Sequence, residues 1–160
     1  HRTDLRSTMP QTYTEIAQEV AALTDGETDA IAVMATMACI LHAGDDRFDW
    51  TGFYRVVGPD LLKIGPYQGG HGCLVIPFDR GVCGAAARTR STQIVADVDA
   101  FPGHIACSTS TRSEIVLPVF SSTGRLIGVL DIDSNAPDAF DQADADALEA
   151  LLARAFQNVP

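Results

Sequence analysis

The sequence predicts an α+β domain in which a central antiparallel sheet carries N- and C-terminal helices on one face. Two observations carry this. Apolar residues recur at helical spacing near both ends of the chain, and between them runs of aromatic and β-branched residues alternate with turn signals. A length of 160 residues suffices for one domain with a hydrophobic core that needs no staples. Residues 9–160 are expected to form that single domain. Residues 1–8 read as a remnant before a native start at Met9, because no apolar stretch follows Arg2 and Arg6 as a signal peptide requires.

The elements follow in order. Ile16, Val20 and Leu23 predict a helix over about 13–23, stopped by Asp25-Gly26. Thr28 or Asp29 caps a second helix running to about His42, apolar at Ile31, Met34, Ala35, Ala38 and Leu41. Cys39 lies on this helix and reads as a packing residue. The period then changes. Residues 50–57 and 61–67 form a hairpin around Gly58-Pro59-Asp60, and 74–77 is a short strand. An alanine-rich helix over 84–88 and a strand over 92–95 come next. The irregular stretch 97–112 has the length of a functional or disordered loop. Residues 114–120 and 125–133 form the strongest strand pair, and a last helix over 142–156 is capped by Asp141 after the apolar Phe140.

Charge narrows the partners. With 11 basic and 21 acidic residues the chain carries −10, which phosphate backbones and anionic membranes repel. It also disfavours an anionic substrate unless a local basic pocket intervenes. No segment approaches the roughly 20 apolar residues of a membrane span. Without a secretory signal the four cysteines are expected to be reduced at rest, and the compartment to be cytoplasmic.

Three cysteines stand apart from Cys39. Cys73, Cys83 and Cys107 each sit among glycines and turn residues, where backbones bend and side chains reach a pocket. Thiol chemistry is the first hypothesis. Glu114 opens one late strand, while Asp131 and Asp133 end the other, two residues apart and so on one face. Three converging carboxylates attract a substrate ammonium and raise one another's pKa. The alternative is a solvated strand end. Oxygen ligation of a divalent ion by Asp131 and Asp133 lacks further acidic residues at loop spacing. Zinc held by His71, Cys73, Cys83, His104 and Cys107 lacks the short knuckles of such sites. Trp50 and Tyr54 read either as core or as the wall of an apolar pocket. No Gly-x-Ser-x-Gly elbow and no phosphate-binding glycine loop occurs.

Several segments together carry a family likeness. They are Asp49-Trp50-Thr51-Gly52-Phe53-Tyr54, Gly65-Pro66-Tyr67-Gln68-Gly69, residues 76–84 (IPFDRGVCG), residues 97–107 (DVDAFPGHIAC), Arg112-Ser113-Glu114-Ile115-Val116 and residues 128–134 (GVLDIDS). With the cysteine spacing, the chain closely resembles free methionine-(R)-sulfoxide reductases, single-domain enzymes on the GAF fold, from about Tyr13 to Phe156. The resemblance implies a GAF-like fold with Cys107 as nucleophile, Cys73 as main resolving thiol and Cys83 as auxiliary. It also implies that Trp50, Glu114, Asp131 and Asp133 bind the free amino acid, with Tyr54 beside Trp50. No cofactor is implied, thioredoxin is the implied reductant, and a homodimer is common for the fold. The proton donor is expected to be Asp133 or Glu114, with Asp131 holding the ammonium. Gln68 to Cys73 is glycine-richer than the family pattern. The rival reading is a non-catalytic GAF-type sensor of a small ligand, which usually adjoins an output domain.

Overall fold

Alternation along the central strands decides which side of the sheet each residue serves. The computed structural model describes residues 11–160, so the expected remnant 1–8 and start at Met9 lie outside it. Six strands pair antiparallel in the order β3-β2-β1-β6-β5-β4: β1 Trp50–Gly58, β2 Leu61–Gln68, β3 Val75–Pro77, β4 Gln93–Val95, β5 Ser113–Phe120 and β6 Leu126–Ser134. Phe53, Ile115, Leu117, Leu130 and Ile132 point to one face and join the main core beneath α1 (Tyr13–Thr24), α2 (Ala30–Gly44) and α4 (Gln142–Ala155). Trp50, Tyr54, Val116 and Val129 point to the other, against α3 (Gly81–Thr89). The expected α+β architecture with the terminal helices on one face is what forms.

Local chemistry sets the helix ends. Asp29 caps α2 by accepting from the Ile31 and Ala32 N–H groups, which resolves the choice between Thr28 and Asp29. Asp141 and Asp144 form a reciprocal capping box at the start of α4. Asp144 has a second task. It accepts from Tyr13 Oη at 2.7 Å and from Arg47 Nη2 at 2.9 Å, so it ties α1, the segment before β1 and α4 together. Burial would raise its pKa, but the hydrogen bonds from Arg47 and Tyr13 outweigh that and hold it below the usual carboxylate range.

Three expectations about helix faces fail for one reason. Leu23 is 65% exposed, and Thr24 takes the inward position instead, its hydroxyl donating to the Val20 carbonyl at 2.7 Å. Ile31 and Ala35 are exposed, while Val33, Met37 and Ile40 are buried. Cys39, expected to pack, is exposed. A helix apolar on nearly every side carries no phase in its sequence, so docking selects the buried stripe. The third helix also differs: it starts at Gly81 and not Gly84, which moves Cys83 out of a loop and into the first helical turn. Among the described residues no helix is long and apolar enough to cross a membrane.

Replacing Asp144 by alanine removes a cap and the partner of Arg47 together. Denaturant unfolding should show a loss of about 2 kcal/mol or more, with Asp144→Asn losing less.

Candidate functional site

The site grows from the register of the three central strands. Trp50 on β1 and Glu114 on β5 both stand opposite Asp133 on β6, so the three form one row across the sheet. Gly52, Asp131 and Val116 form the next row, and Tyr54 opposite Val129 the one after. All these positions face away from the helical core, as the two-residue strand period requires. The carboxylate convergence expected from Glu114, Asp131 and Asp133 is therefore produced by strand pairing.

Gly52 makes room for the wall of the site. A Cβ there would lie 2.5 Å from the Trp50 ring and 2.4 Å from Tyr67 Cβ, so the indole lies across a position only glycine leaves open. The indole N–H donates to the Gly70 carbonyl at 2.8 Å, and the ring stacks with Tyr54 and Tyr67 at 5.9 and 5.3 Å between centroids. The core reading and the wall reading of Trp50 and Tyr54 both hold, since both side chains are buried and both line the cavity.

Helix α3 and two loops close the other sides. Gly81 has φ +68°, a left-handed conformation that suits glycine, and its N–H donates to the Gly103 carbonyl at 3.1 Å. That bond ties the first turn of α3, with the buried Cys83, to the loop carrying Cys107. Cys73 and Cys107 form a disulfide with Cα atoms 5.4 Å apart, inside the ordinary range for such bonds. The expectation of reduced thiols at rest thus describes Cys39 and Cys83, which are free, and not this pair. Cys107 lines the cavity and Cys73 does not; both residues are half-buried.

The enclosed space is about 190 Å³, the scale of one small molecule and below that of drug-sized sites. Trp50, Tyr54, Cys83, Glu114, Asp131 and Asp133 all border it. Burial, reinforced by the charge of Asp133, pushes the Glu114 carboxyl well above the usual carboxylate range. Burial and the charges of Asp133 and Glu114 do the same to Asp131. Burial lifts Asp133 only to about 6, because hydrogen bonds with Asp131 and Glu114 favour its charged form. Burial thus favours the protonated form throughout the trio, and least so for Asp133. Burial, then the neighbouring carboxylates, keeps the Cys83 thiol and the Tyr54 hydroxyl protonated as well. Asp131 Oδ1 and Asp133 Oδ1 are the buried side-chain atoms without a hydrogen-bond partner among the described residues. Two orphaned carboxylate oxygens in a cavity await a donor such as an ammonium.

Sequence reasoning missed part of the lining. His104 places Nε2 at 3.7 Å from Glu114 Oε2, and burial lowers its pKa so that the ring favours the neutral form. Asp49, which opens one of the family-like segments, borders the cavity too, as do Ser110, Thr111 and Asn135, which no motif marks. Cys83, Glu114 and Asp131 bring one ligand atom each within 4.8 Å of one another. That set is able to hold a metal ion, though three protons must first leave it. The zinc group weighed from His71, Cys73, Cys83, His104 and Cys107 is not the one the fold assembles, and two of its thiols are spent in the disulfide.

Comparison with known proteins agrees with this geometry. A GAF domain family model matches residues 8–157. The chain is 39% identical over 142 residues to the free methionine-R-sulfoxide reductase of Escherichia coli, covering 89% of this chain and 85% of that protein. It is 41% identical over 135 residues to the enzyme of the same name from Saccharomyces cerevisiae, covering 81% and 75%. The solved structure of free methionine-R-sulfoxide reductase from Neisseria meningitidis in complex with its substrate superposes with a TM-score of 0.86 at 40% identity, covering 96% of this chain and 95% of that one.

The raised carboxyl pKa values make a signed prediction. The folded state holds these protons more tightly than the unfolded chain, so stability is fully present below about pH 4. It is lost as pH rises through about 6 for Asp133, and beyond that for Glu114 and Asp131. Glu114→Gln should therefore melt above the wild type at pH 8 and close to it at pH 4, with each kcal/mol regained worth about 2–4 °C. Equal pH slopes for the two proteins would contradict the assignment.

Proposed function

The chain belongs to the GAF domain family and, within it, to the free methionine-R-sulfoxide reductases, and from that premise we propose that it reduces free L-methionine-(R)-sulfoxide to methionine. One observation supports the reading above others: Cys107, half of a disulfide, opens into the same small cavity as three buried carboxylates.

Sulfoxide reduction needs a thiolate at sulfur and an acid at oxygen. In the reduced enzyme Cys107 Sγ attacks the sulfoxide sulfur while the oxygen is protonated, and Glu114 is the donor we favour because burial keeps its proton near neutral pH. The oxygen passes to Cys107 as a sulfenic acid and methionine leaves. Cys73 then attacks the sulfenic sulfur, forming the Cys73–Cys107 bond and releasing water. Both electrons come from the thiols, so no cofactor enters. Asp133, the most readily ionised of the trio, and Asp131 hold the substrate ammonium through their unpartnered oxygens. Trp50 packs against the methyl group, with Tyr54 behind it, and so selects the enantiomer.

Size and charge explain a preference for the free amino acid. A methionine sulfoxide within a peptide has no ammonium to meet the carboxylates, and its flanking chain does not fit an enclosed space of about 190 Å³. Cys83, buried and held as a thiol, serves as the auxiliary partner of Cys107. A protein dithiol such as thioredoxin reopens the disulfide, which sets the enzyme in a reducing, cytoplasmic compartment.

Cys107→Ser should abolish reduction of free methionine-(R)-sulfoxide even with dithiothreitol, and retained turnover would sink the assignment. Cys73→Ser should release one methionine per enzyme in a single turnover but recycle poorly with thioredoxin. An unchanged steady-state rate would transfer the resolving role to Cys83.

A further inference from the structure

Any reductant that reopens the Cys73–Cys107 bond must reach it from outside, and the surface there differs from the rest of the molecule. The chain carries 21 acidic and 11 basic residues, yet neither Ile64–Phe78, which holds Cys73, nor Ala100–Thr111, which holds Cys107, contains an Asp, Glu, Lys or Arg. Cys107 borders the cavity and Cys73 does not; Cys73 is half-buried, packs against the core cluster on the α3 side of the sheet, and directly precedes exposed apolar residues. Leu74 and Val75 follow it directly and are 64% and 44% exposed. Single exposed apolar residues need no explanation, but two in succession beside a redox bond form an apolar patch, bordered by Lys63 opposite Val75 on β2. They also lead into β3, an edge strand whose only sheet partner among the described residues is β2. Its open side offers backbone donors and acceptors to an extended segment of a partner.

We propose that Leu74, Val75 and the open edge of β3 are the docking surface for the protein dithiol that recycles this enzyme, and that its thiolate attacks Sγ of Cys73. This rests on the reading of Cys73 and Cys107 as the catalytic pair. The partner is a small protein with two thiols, its nucleophilic sulfur set in an apolar face that binds extended chain. Its thiolate forms a bond to Cys73 Sγ, the Cys73–Cys107 bond breaks, and Cys107 departs as the thiolate needed for the next turnover. The partner's second thiol then attacks the mixed disulfide, freeing Cys73 and leaving the partner oxidised. Two electrons and two protons pass from the dithiol to the enzyme.

The test follows reduction of the preformed disulfide by thiol alkylation and mass spectrometry, with reduced thioredoxin or dithiothreitol as reductant. In the Leu74→Glu/Val75→Glu double variant the thioredoxin rate constant should fall about tenfold, and in Leu74→Ala severalfold, while the dithiothreitol rate stays within about twofold. An unchanged thioredoxin rate in the double variant overturns the proposal. So does an equal fall with both reductants in both variants, which reports a disturbed disulfide and not a lost surface. A thioredoxin lacking its second cysteine should be trapped on Cys73, and trapping on Cys107 is the contrary result. None of these measurements uses methionine sulfoxide. Failure to turn over that substrate would therefore reject the catalytic reading while the docking measurement stands.

Discussion

Three carboxyl groups buried together on the central strands are the constraint around which this protein is arranged. Glu114, Asp131 and Asp133 sit where an apolar sheet face would be expected, and burial alone drives all three toward the protonated form. Two of their oxygens find no hydrogen-bond partner among the described residues. Such an arrangement opposes folding in proportion to the charge it carries. It is tolerated because the main core lies on the other face of the same strands, beneath three helices, and stabilises the sheet independently. The sheet thus separates two tasks by residue parity: Ile115, Leu117, Leu130 and Ile132 hold the domain together, while Glu114, Asp131 and Asp133 between them face the chemistry.

Proton inventory follows from that separation. Neighbouring carboxyls on paired strands differ in acidity through their mutual hydrogen bonds. Asp133 is favoured as the charged member, and its neighbours retain their protons. Cys83, in the same environment, is kept as a thiol, which suits a reserve role and not that of a nucleophile. Cys107 borders the same cavity from a loop held to α3 by the Gly81–Gly103 bond. The disulfide joins the cavity-lining Cys107 to Cys73, which packs against the α3-side core cluster.

Much of the architecture was legible in the chain. The strands around Gly58-Pro59-Asp60 and Ser121–Gly124, the capping of α4 by Asp141 and the shared face of Asp131 and Asp133 all follow from local rules of turn, cap and period. What failed was phase and onset. Leu23, Ile31 and Cys39 are exposed because α1 and α2 contain more apolar residues than one face can bury. The early start of α3 depends on the left-handed Gly81 and on its bond to Gly103, a partner 22 residues away in sequence (103 − 81). Ser110 and Thr111 border the cavity without any local pattern to announce them, since a loop's side chains acquire their positions only from what the loop packs against.

By itself the sequence determined the fold class, the cysteines and carboxylates that matter, and through its motifs the family they belong to. Those follow from local periodicity and residue chemistry, which need no partner in space. Tertiary structure decided what those residues are to one another: Glu114 opposite Asp133 through strand register, Cys83 buried in a helix turn, and Cys107 beside a cavity that Cys73 does not line. It also decided the order of acidity within the trio, because desolvation and mutual charge exist only once the strands pair and water is excluded.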